Sequence, residues 1–244
     1  MSRLQGKTAV VTGGGSGIGL GAARRFIEEG AFVYLFGRRQ AALDAAAAQL
    51  GPQARAVQGS VTDLADLDRL YETVKAERGG LDILFANAGT GALAPLGEIT
   101  PEQYDQTFDV NVKGLIFTVQ KALPLMGAGA SIILTGSTTG VMGTPQFSIY
   151  SATKAAVRNL ARSWALDLAG TDIRVNVLSP GPTRTELALE VVGEDAMVAL
   201  GATTPLGRMG DPSETGAVAA FLASSDSSFM TGGEVFVDGG LAQV

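Results

Sequence analysis

Short apolar runs alternate with helical patterns along the whole of this 244-residue chain, and that alternation restricts the fold more than any other feature. Strand signals fall at 8–12, 32–36, 55–58, 81–86, 131–135, 173–178 and 234–237. Helical periodicity fills the gaps at 17–29, 40–50, 64–77, 101–125, 148–168, 186–200 and 212–223. Several strand runs are apolar without interruption, such as Ala9-Val10-Val11 and Ile132-Ile133-Leu134. A strand covered by helices on both faces reads this way, whereas a half-exposed strand alternates apolar with polar. The alternation therefore dictates a parallel sheet with helices on both faces, and right-handed crossovers wind it doubly. Thr100-Pro101 and Asp211-Pro212 mark helix starts, each an N-cap followed by proline in the first turn. The run from Ala41 to Ala48 is a helix former rather than a disordered tract. No repeat, charge block or Pro/Gly/Ser linker divides the chain, so residues 1–244 read as one α/β domain.

Two absences narrow the chemistry. The sequence has no histidine and no cysteine. That removes the usual proton shuttle at neutral pH, the usual thiolate nucleophile, disulfides and the commonest metal ligand. No metal site is expected. Hydrophobic residues make up 46% of the chain, enough for a sizeable core, yet no run reaches the roughly 18 apolar residues of a membrane span. The net charge of −6 argues against a nucleic-acid footprint, which is a basic patch. Met1-Ser2-Arg3-Leu4-Gln5-Gly6-Lys7 has no apolar secretion core. A cytoplasmic protein with neither nucleic-acid nor membrane partner is the expectation.

Thr12-Gly13-Gly14-Gly15-Ser16-Gly17-Ile18-Gly19 lies between the first strand and the first helix. Glycine permits a tight turn and close approach to a pyrophosphate, while the helix N-terminus offers N–H donors and positive partial charge. The spacing G-x-G-x-x-G fails in every register; glycine at 13, 17 and 19 is what fits. A ligand-free glycine loop is the plain alternative, and its place at the first strand-to-helix turn speaks against it. About twenty residues beyond such a loop, an acidic residue binds the ribose 2′-hydroxyl of NAD. Gly37 stands there instead, followed by Arg38 and Arg39. A guanidinium holds a 2′-phosphate through charge-assisted hydrogen bonds, so NADP(H) is expected over NAD(H). Two solvated arginines before a helix are the competing explanation, and Ser16 brings no second charge.

Tyr150 and Lys154 are four residues apart and share one helix face. A free tyrosine, with a pKa of about 10, is too weakly acidic to serve as a base near neutrality. A neighbouring ammonium favours the phenolate and is expected to lower that value. Ser137, thirteen residues before the tyrosine, supplies a hydroxyl to hold a substrate oxygen beside the phenol. Tyr-x-x-x-Lys alone more often marks an exposed helix face. Joined to the serine and the glycine turn, it reads as a general acid/base with its tuner.

With these motifs in order, the chain resembles the short-chain dehydrogenase/reductase family from Gly6 onward. The glycine loop is similar to the family's Thr-Gly-x-x-x-Gly-x-Gly. Ala86-Asn87-Ala88-Gly89 resembles its Asn-Asn-Ala-Gly motif, and Asn111, Ser137, Tyr150 and Lys154 match its catalytic tetrad. Pro180-Gly181-Pro182-Thr183-Arg184-Thr185 resembles Pro-Gly-x-x-x-Thr, which in the family contacts the nicotinamide carboxamide. The resemblance implies a single-domain Rossmann fold with a seven-stranded parallel sheet in the order 3-2-1-4-5-6-7. It implies a cofactor site built from Gly13, Ser16, Gly17, Ile18, Gly19, Arg38, Arg39, Val61, Asn87, Ala88, Gly89, Tyr150, Lys154, Pro180, Gly181, Thr183 and Thr185. Within the family the chain looks most like bacterial carbonyl reductases and secondary-alcohol dehydrogenases that use NADPH. Four positions depart from the pattern: Gly37, Ala86, Gly136 where a serine is common, and Ser60 where many members carry an aspartate for the adenine.

The implied chemistry is hydride transfer between nicotinamide and a carbonyl carbon, with Tyr150 as proton donor and Ser137 as hydrogen-bond donor. Lys154 would tune the tyrosine and bind the ribose, and Asn111 would hold a relay water. Thr138, Thr139, Met142, Thr144, Phe147 and Leu187 are expected to ring the substrate, with a mobile segment at about 185–205. That segment is mostly apolar, which suits an uncharged hydrophobic ketone or alcohol; ordinary helix packing explains its Leu, Val and Met residues equally well. Small residues on the tyrosine helix (Ala152, Ala155, Ala156, Ala161, Ala165) read most plainly as core packing within one subunit, and the family pattern implies a homotetramer. An NAD-dependent diol, sugar or steroid dehydrogenase, or an acyl-carrier-protein reductase, is the alternative within the family. A non-catalytic NADP(H) sensor is the remote one.

Overall fold

The uninterrupted apolar run at 8–12 becomes a central strand in the computed structural model, which describes residues 2–244. This strand, β1 (Thr8–Thr12), is buried at all five positions. It pairs in parallel with β2 (Phe32–Gly37) on one side and β4 (Leu81–Ala86) on the other. β3 (Ala54–Gln58) lies outside β2, and β5 (Met126–Thr135), β6 (Arg174–Pro180) and β7 (Glu234–Val237) continue from β4. The sheet has seven parallel strands in the order 3-2-1-4-5-6-7, as the resemblance implied. The strand order reverses between β1 and β4, so a crevice opens at their C-terminal ends.

Neighbouring residues on a strand face opposite sides, and each side has its own core. Val10, Leu84 and Ile132 pack with Leu67, Leu70, Leu115, Val119, Val157 and Ala161. These come from α3 (Leu64–Arg78), α5 (Leu115–Ala122) and α6 (Ser148–Asp167). Val11, Phe85 and Ile133 pack on the other face with Phe26, Leu43, Ala46, Ala219 and Leu222. Those belong to α1 (Gly17–Glu28), α2 (Gln40–Leu50) and α9 (Pro212–Ala223). Asp211 caps α9, as expected, and does so in a reciprocal capping box with Glu214 that the sequence reading did not include. Among the described residues no helix is long and apolar enough to cross a membrane.

Two expected helices are divided. The stretch 101–125 folds as α4 (Pro101–Phe108), a π-helical turn (Asp109–Gly114), α5 and a 3₁₀ turn (Leu123–Leu125). No proline or glycine signals the π turn at its start; the side chain of Asn111 is engaged there by a distant loop, and that is a tertiary cause. The stretch 186–200 divides into α7 (Glu186–Val192) and α8 (Glu194–Ala202) at Gly193, whose φ of +89° ends a helix. β5 also begins at Met126, five residues before the expected start, with an irregularity opposite Leu81 and Ile83.

Candidate active site

The glycine turn follows β1 directly. Gly13 N–H donates to the Phe36 carbonyl at 2.8 Å, tying the turn to β2. A side chain on Gly19 would run into the Gly13 carbonyl and the Asn87 amide, so strand, turn and helix approach as closely as only glycine permits. Gly17 opens α1 at φ +52° and packs on Thr185. Ser16 occupies the N-cap, yet its hydroxyl makes no cap bond and accepts instead from the Arg39 guanidinium at 3.1 Å. The first-turn N–H groups of α1, Ile18 and Gly19 among them, thus have no side-chain cap competing for them. Arg39 also pairs with Glu186, the first residue of α7, at 3.5 Å. Arg38 turns elsewhere: with Thr62, Thr90, Gln106, Asp109 and Val110 it lines a hollow of about 220 Å³. Val61 lies buried beside that hollow and packs against Gly114 of the π turn.

Thr12 staples the next motif to the sheet. Its hydroxyl accepts from the N–H groups of Asn87 and Ala88, both at 3.0 Å, while Asn87 Nδ2 donates to the Thr12 carbonyl at 3.0 Å. Gly89, beyond Asn87, faces Asn111 and Lys154. On the far side, Gly181 N–H donates to the Val237 carbonyl at 3.0 Å, and Thr183 Oγ1 donates to the Gly181 carbonyl at 3.1 Å. Thr185 caps α7 through Ala188 N–H. The Pro180–Thr185 segment therefore ends β6 and starts the helix that reaches toward Arg39.

The four residues singled out for chemistry converge at the C-terminal ends of β4 and β5. Ser137 follows β5 and is buried. Tyr150 and Lys154 stand on the first two turns of α6, with Lys154 Nζ 5.3 Å from the centre of the tyrosine ring. Lys154 is 3% exposed, and its ammonium donates to the Thr135 carbonyl at 2.8 Å. Burial pushes Lys154 down to about 8. The expected lowering of Tyr150 by this lysine is overturned: dense packing around the phenol pushes it up to about 12, and the nearby Ser137 hydroxyl draws it the other way. The lysine lies over the ring, 5.3 Å from its centre.

Asn111 is held at both ends of its amide. Its Oδ1 accepts from Thr90 N–H at 2.8 Å, and its Nδ2 donates to the Thr90 carbonyl at 2.8 Å and to Thr153 Oγ1 at 3.1 Å. Both amide hydrogens are used, so the side chain braces the Thr90 loop against α6. Thr153 passes the link on, donating to the Tyr150 carbonyl at 2.6 Å. Phe147 stacks on Tyr150 with ring centres 4.3 Å apart. Gly91 lets the 90–96 loop run against both rings, and Gln146, at φ +61°, accepts from Ala94 N–H at 2.7 Å. Thr138 is buried, Thr139 and Thr144 are part-buried, and Met142 and Leu187 are exposed.

A sequence pattern described as enoyl-(acyl carrier protein) reductase matches residues 13–242. An oxidoreductase, asL5, of Sarocladium schorii is 65% identical, over 100% of this chain and 99% of its own. The NADP-dependent (R)-specific alcohol dehydrogenase of Lentilactobacillus kefiri is 37% identical, over 98% and 97%. The crystal structure of a short-chain type dehydrogenase/reductase from Mycobacterium marinum superposes with a TM-score of 0.93 at 34% identity, over 99% and 97%. The chain belongs to the short-chain dehydrogenase/reductase family.

Two of its four departures from the family pattern, Gly136 and Ser60, have local causes. A side chain at Gly136 would strike the Ser179 hydroxyl and Val177, so this short-chain dehydrogenase has no room for the serine common there. Ser179 is fully buried and donates to Glu234 on β7 at 2.7 Å. Gly136→Ser should cost about 1–3 kcal/mol in denaturant unfolding, and adding Ser179→Ala should recover part of it. Equal stability of Gly136→Ser and the parent would contradict the packing described. Ser60 turns its N–H to Asp66 at 2.8 Å and its hydroxyl to Thr62 at 2.8 Å, so it belongs to the start of α3. Sequence reasoning missed Thr12, Thr90, Thr135 and Thr153, the groups that brace the candidate site, and Glu186, which faces Arg39. Thr135 stands at the end of a strand that enters the crevice, which was its only signal, whereas Thr12 was in view as the first residue of the glycine motif without a role assigned to it.

Proposed function

We propose that the protein transfers hydride between NADP(H) and an uncharged, hydrophobic ketone or its secondary alcohol. The observation that carries this reading is the convergence of Tyr150, Ser137, Lys154 and Asn111 beside a glycine turn too tight for side chains. The residues present fit a dinucleotide. Gly13, Gly17 and Gly19 leave a bare backbone surface, the N-terminus of α1 offers N–H groups, and Lys154 stands at the crevice floor below Gly89. Reduced nicotinamide supplies the hydride when bound.

The chain supplies the proton and the control of charge. Tyr150 donates its phenolic proton to the carbonyl oxygen as negative charge develops there. Ser137 donates a hydrogen bond to the same oxygen, and both contacts strengthen in the transition state. Lys154 stabilises the phenolate left behind and binds ribose hydroxyls through its remaining N–H groups. Asn111, through Thr90 and Thr153, fixes the loop and helix that hold these groups in place. Phe147, Thr138, Thr144, Met142 and Leu187 border the substrate, and their mostly apolar surface favours a hydrophobic carbonyl compound.

Arg39 at the glycine turn and Arg38 at the hollow support a 2′-phosphate, in line with the NADP dependence named for the Lentilactobacillus enzyme. Glu186 favours a second reading: a carboxylate beside Arg39 repels a 2′-phosphate, which suits an NAD-dependent dehydrogenase of a diol, sugar or steroid. Titration by cofactor fluorescence, followed by turnover on a ketone panel, separates the two. Replacing Arg38 and Arg39 together by alanine should weaken NADPH binding at least roughly tenfold and NADH binding less than about threefold. Equal losses for both cofactors would favour the second reading. Tight NADPH binding with no turnover on any carbonyl would favour a sensor instead. A cytoplasmic homotetramer completes the proposal, supported by Ala152, Ala155 and Ala156 on the accessible side of α6; light scattering at four times the chain mass is the expected result.

A further inference from the structure

The direction of the Ser137 hydroxyl is set by one neighbour. Ser137 caps the 3₁₀ turn Thr138–Gly140 with extended backbone, φ −172°. Its Oγ accepts from the N–H of Thr139 at 3.2 Å and from the hydroxyl of Thr139 at 3.1 Å. A hydroxyl has two acceptor lone pairs and one proton. Thr139 occupies both lone pairs, so what Ser137 has left to offer is its proton. Ser137 is buried, which keeps bulk water from competing for those lone pairs. No alternative hydroxyl comes from the residue before it, because Ser179 and Val177 fill the space a side chain on Gly136 would need.

We propose that Thr139 is a positioning residue that holds Ser137 as a hydrogen-bond donor, aimed at the substrate oxygen and at Tyr150. The proposal rests on the roles given to Ser137 and Tyr150 above. Without the Thr139 hydroxyl, one lone pair of Ser137 is free, and the serine can rotate to accept from the phenol instead of donating to the developing oxyanion. The reaction then loses its second donor for part of the time, while cofactor and substrate still bind.

The test uses Thr139→Val, which exchanges the hydroxyl for a methyl group of similar size, with Thr139→Ser as the conservative variant. Thr139→Val should lower kcat for ketone reduction roughly tenfold, a loss on the scale of one hydrogen bond. The ketone KM and the NADPH dissociation constant should move less than about twofold, and Thr139→Ser should restore most of kcat, because only the Thr139 hydroxyl has been removed. In a Ser137→Ala background, Thr139→Val should cost nothing more, because a positioning residue has nothing left to position. Melting temperatures establish that each variant is folded. Wild-type kcat in Thr139→Val beside a crippled Ser137→Ala overturns the proposal alone. So does a Thr139→Val loss that persists in full in the Ser137→Ala background, since packing would then explain it. Full turnover by Ser137→Ala overturns the reading of Ser137 and the proposal with it.

Discussion

Tyr150→Phe should lower kcat roughly 10²- to 10⁴-fold, the usual range for a positioned general acid, while the NADPH dissociation constant changes less than about threefold. Only the hydroxyl is removed. The ring keeps its stack on Phe147, and Lys154 keeps its bond to the Thr135 carbonyl, so the wall of the site survives. A variant that keeps more than a few per cent of wild-type turnover would remove Tyr150 from the mechanism. The pH profile adds an independent check. Burial pushes Tyr150 up to about 12, so the phenol remains protonated across the working range, and Lys154, pushed down to about 8, titrates first. Raising the pH through about 8 removes the ammonium that stabilises the phenolate formed on proton donation. Reductive kcat should therefore hold below that pH and fall above it, and a flat profile to pH 10 would contradict the role given to Lys154.

Lys154→Met should separate stability from function. Turnover should fall by about 10²-fold or more as charge control is lost, yet neutral-pH stability need not suffer, because a buried ammonium is costly to hold. The sign follows from proton binding. A free lysine titrates near 10.5 and Lys154 near 8, so between those values the unfolded chain binds more protons than the folded one. Wild-type stability relative to Lys154→Met should thus rise with pH across that window, by about 3 kcal/mol in total. The folded lysine is penalised below the window, and the penalty is gone above it. Urea unfolding of both proteins at pH 7 and at pH 10 measures the difference. A pH-independent difference would mean that Lys154 titrates alike in the folded and unfolded chain.

The sheet was legible because its strands are buried on both faces, and such burial leaves uninterrupted runs like Ile132-Ile133-Leu134. Tyr150, Lys154 and Ser137 were legible because two of them lie one helical turn apart and the third follows the strand before them, whereas Asn111 was legible only through the family resemblance. What the linear pattern did not carry was set by contacts between distant segments. Asn111 is held by Thr90, twenty-one residues away, and that engagement coincides with the π turn. Thr90, Thr135 and Thr153 look like any other threonine until the fold brings their hydroxyls and carbonyls to the crevice. The pKa of Tyr150 depends on how closely its surroundings exclude water, and the spacing to Lys154 says nothing of that. Gly193 was a readable signal that lost out to the apolar periodicity on either side of it.

The π turn at Asp109–Gly114 has a consequence for how this site can be lost. A π turn holds one residue more than the α-helical turn it replaces. A chain one residue shorter at this point closes into a continuous helix from α4 into α5, presenting Leu115 and Val119 to the same core. Such a deletion is expected to leave the domain able to fold, while the side chain of Asn111 would no longer meet Thr90. The activity of this protein should in that sense be one codon deep: a single in-frame deletion within Asp109–Gly114 is expected to leave a cooperative melting transition while turnover falls sharply, and wild-type turnover in the deletion variant would contradict it.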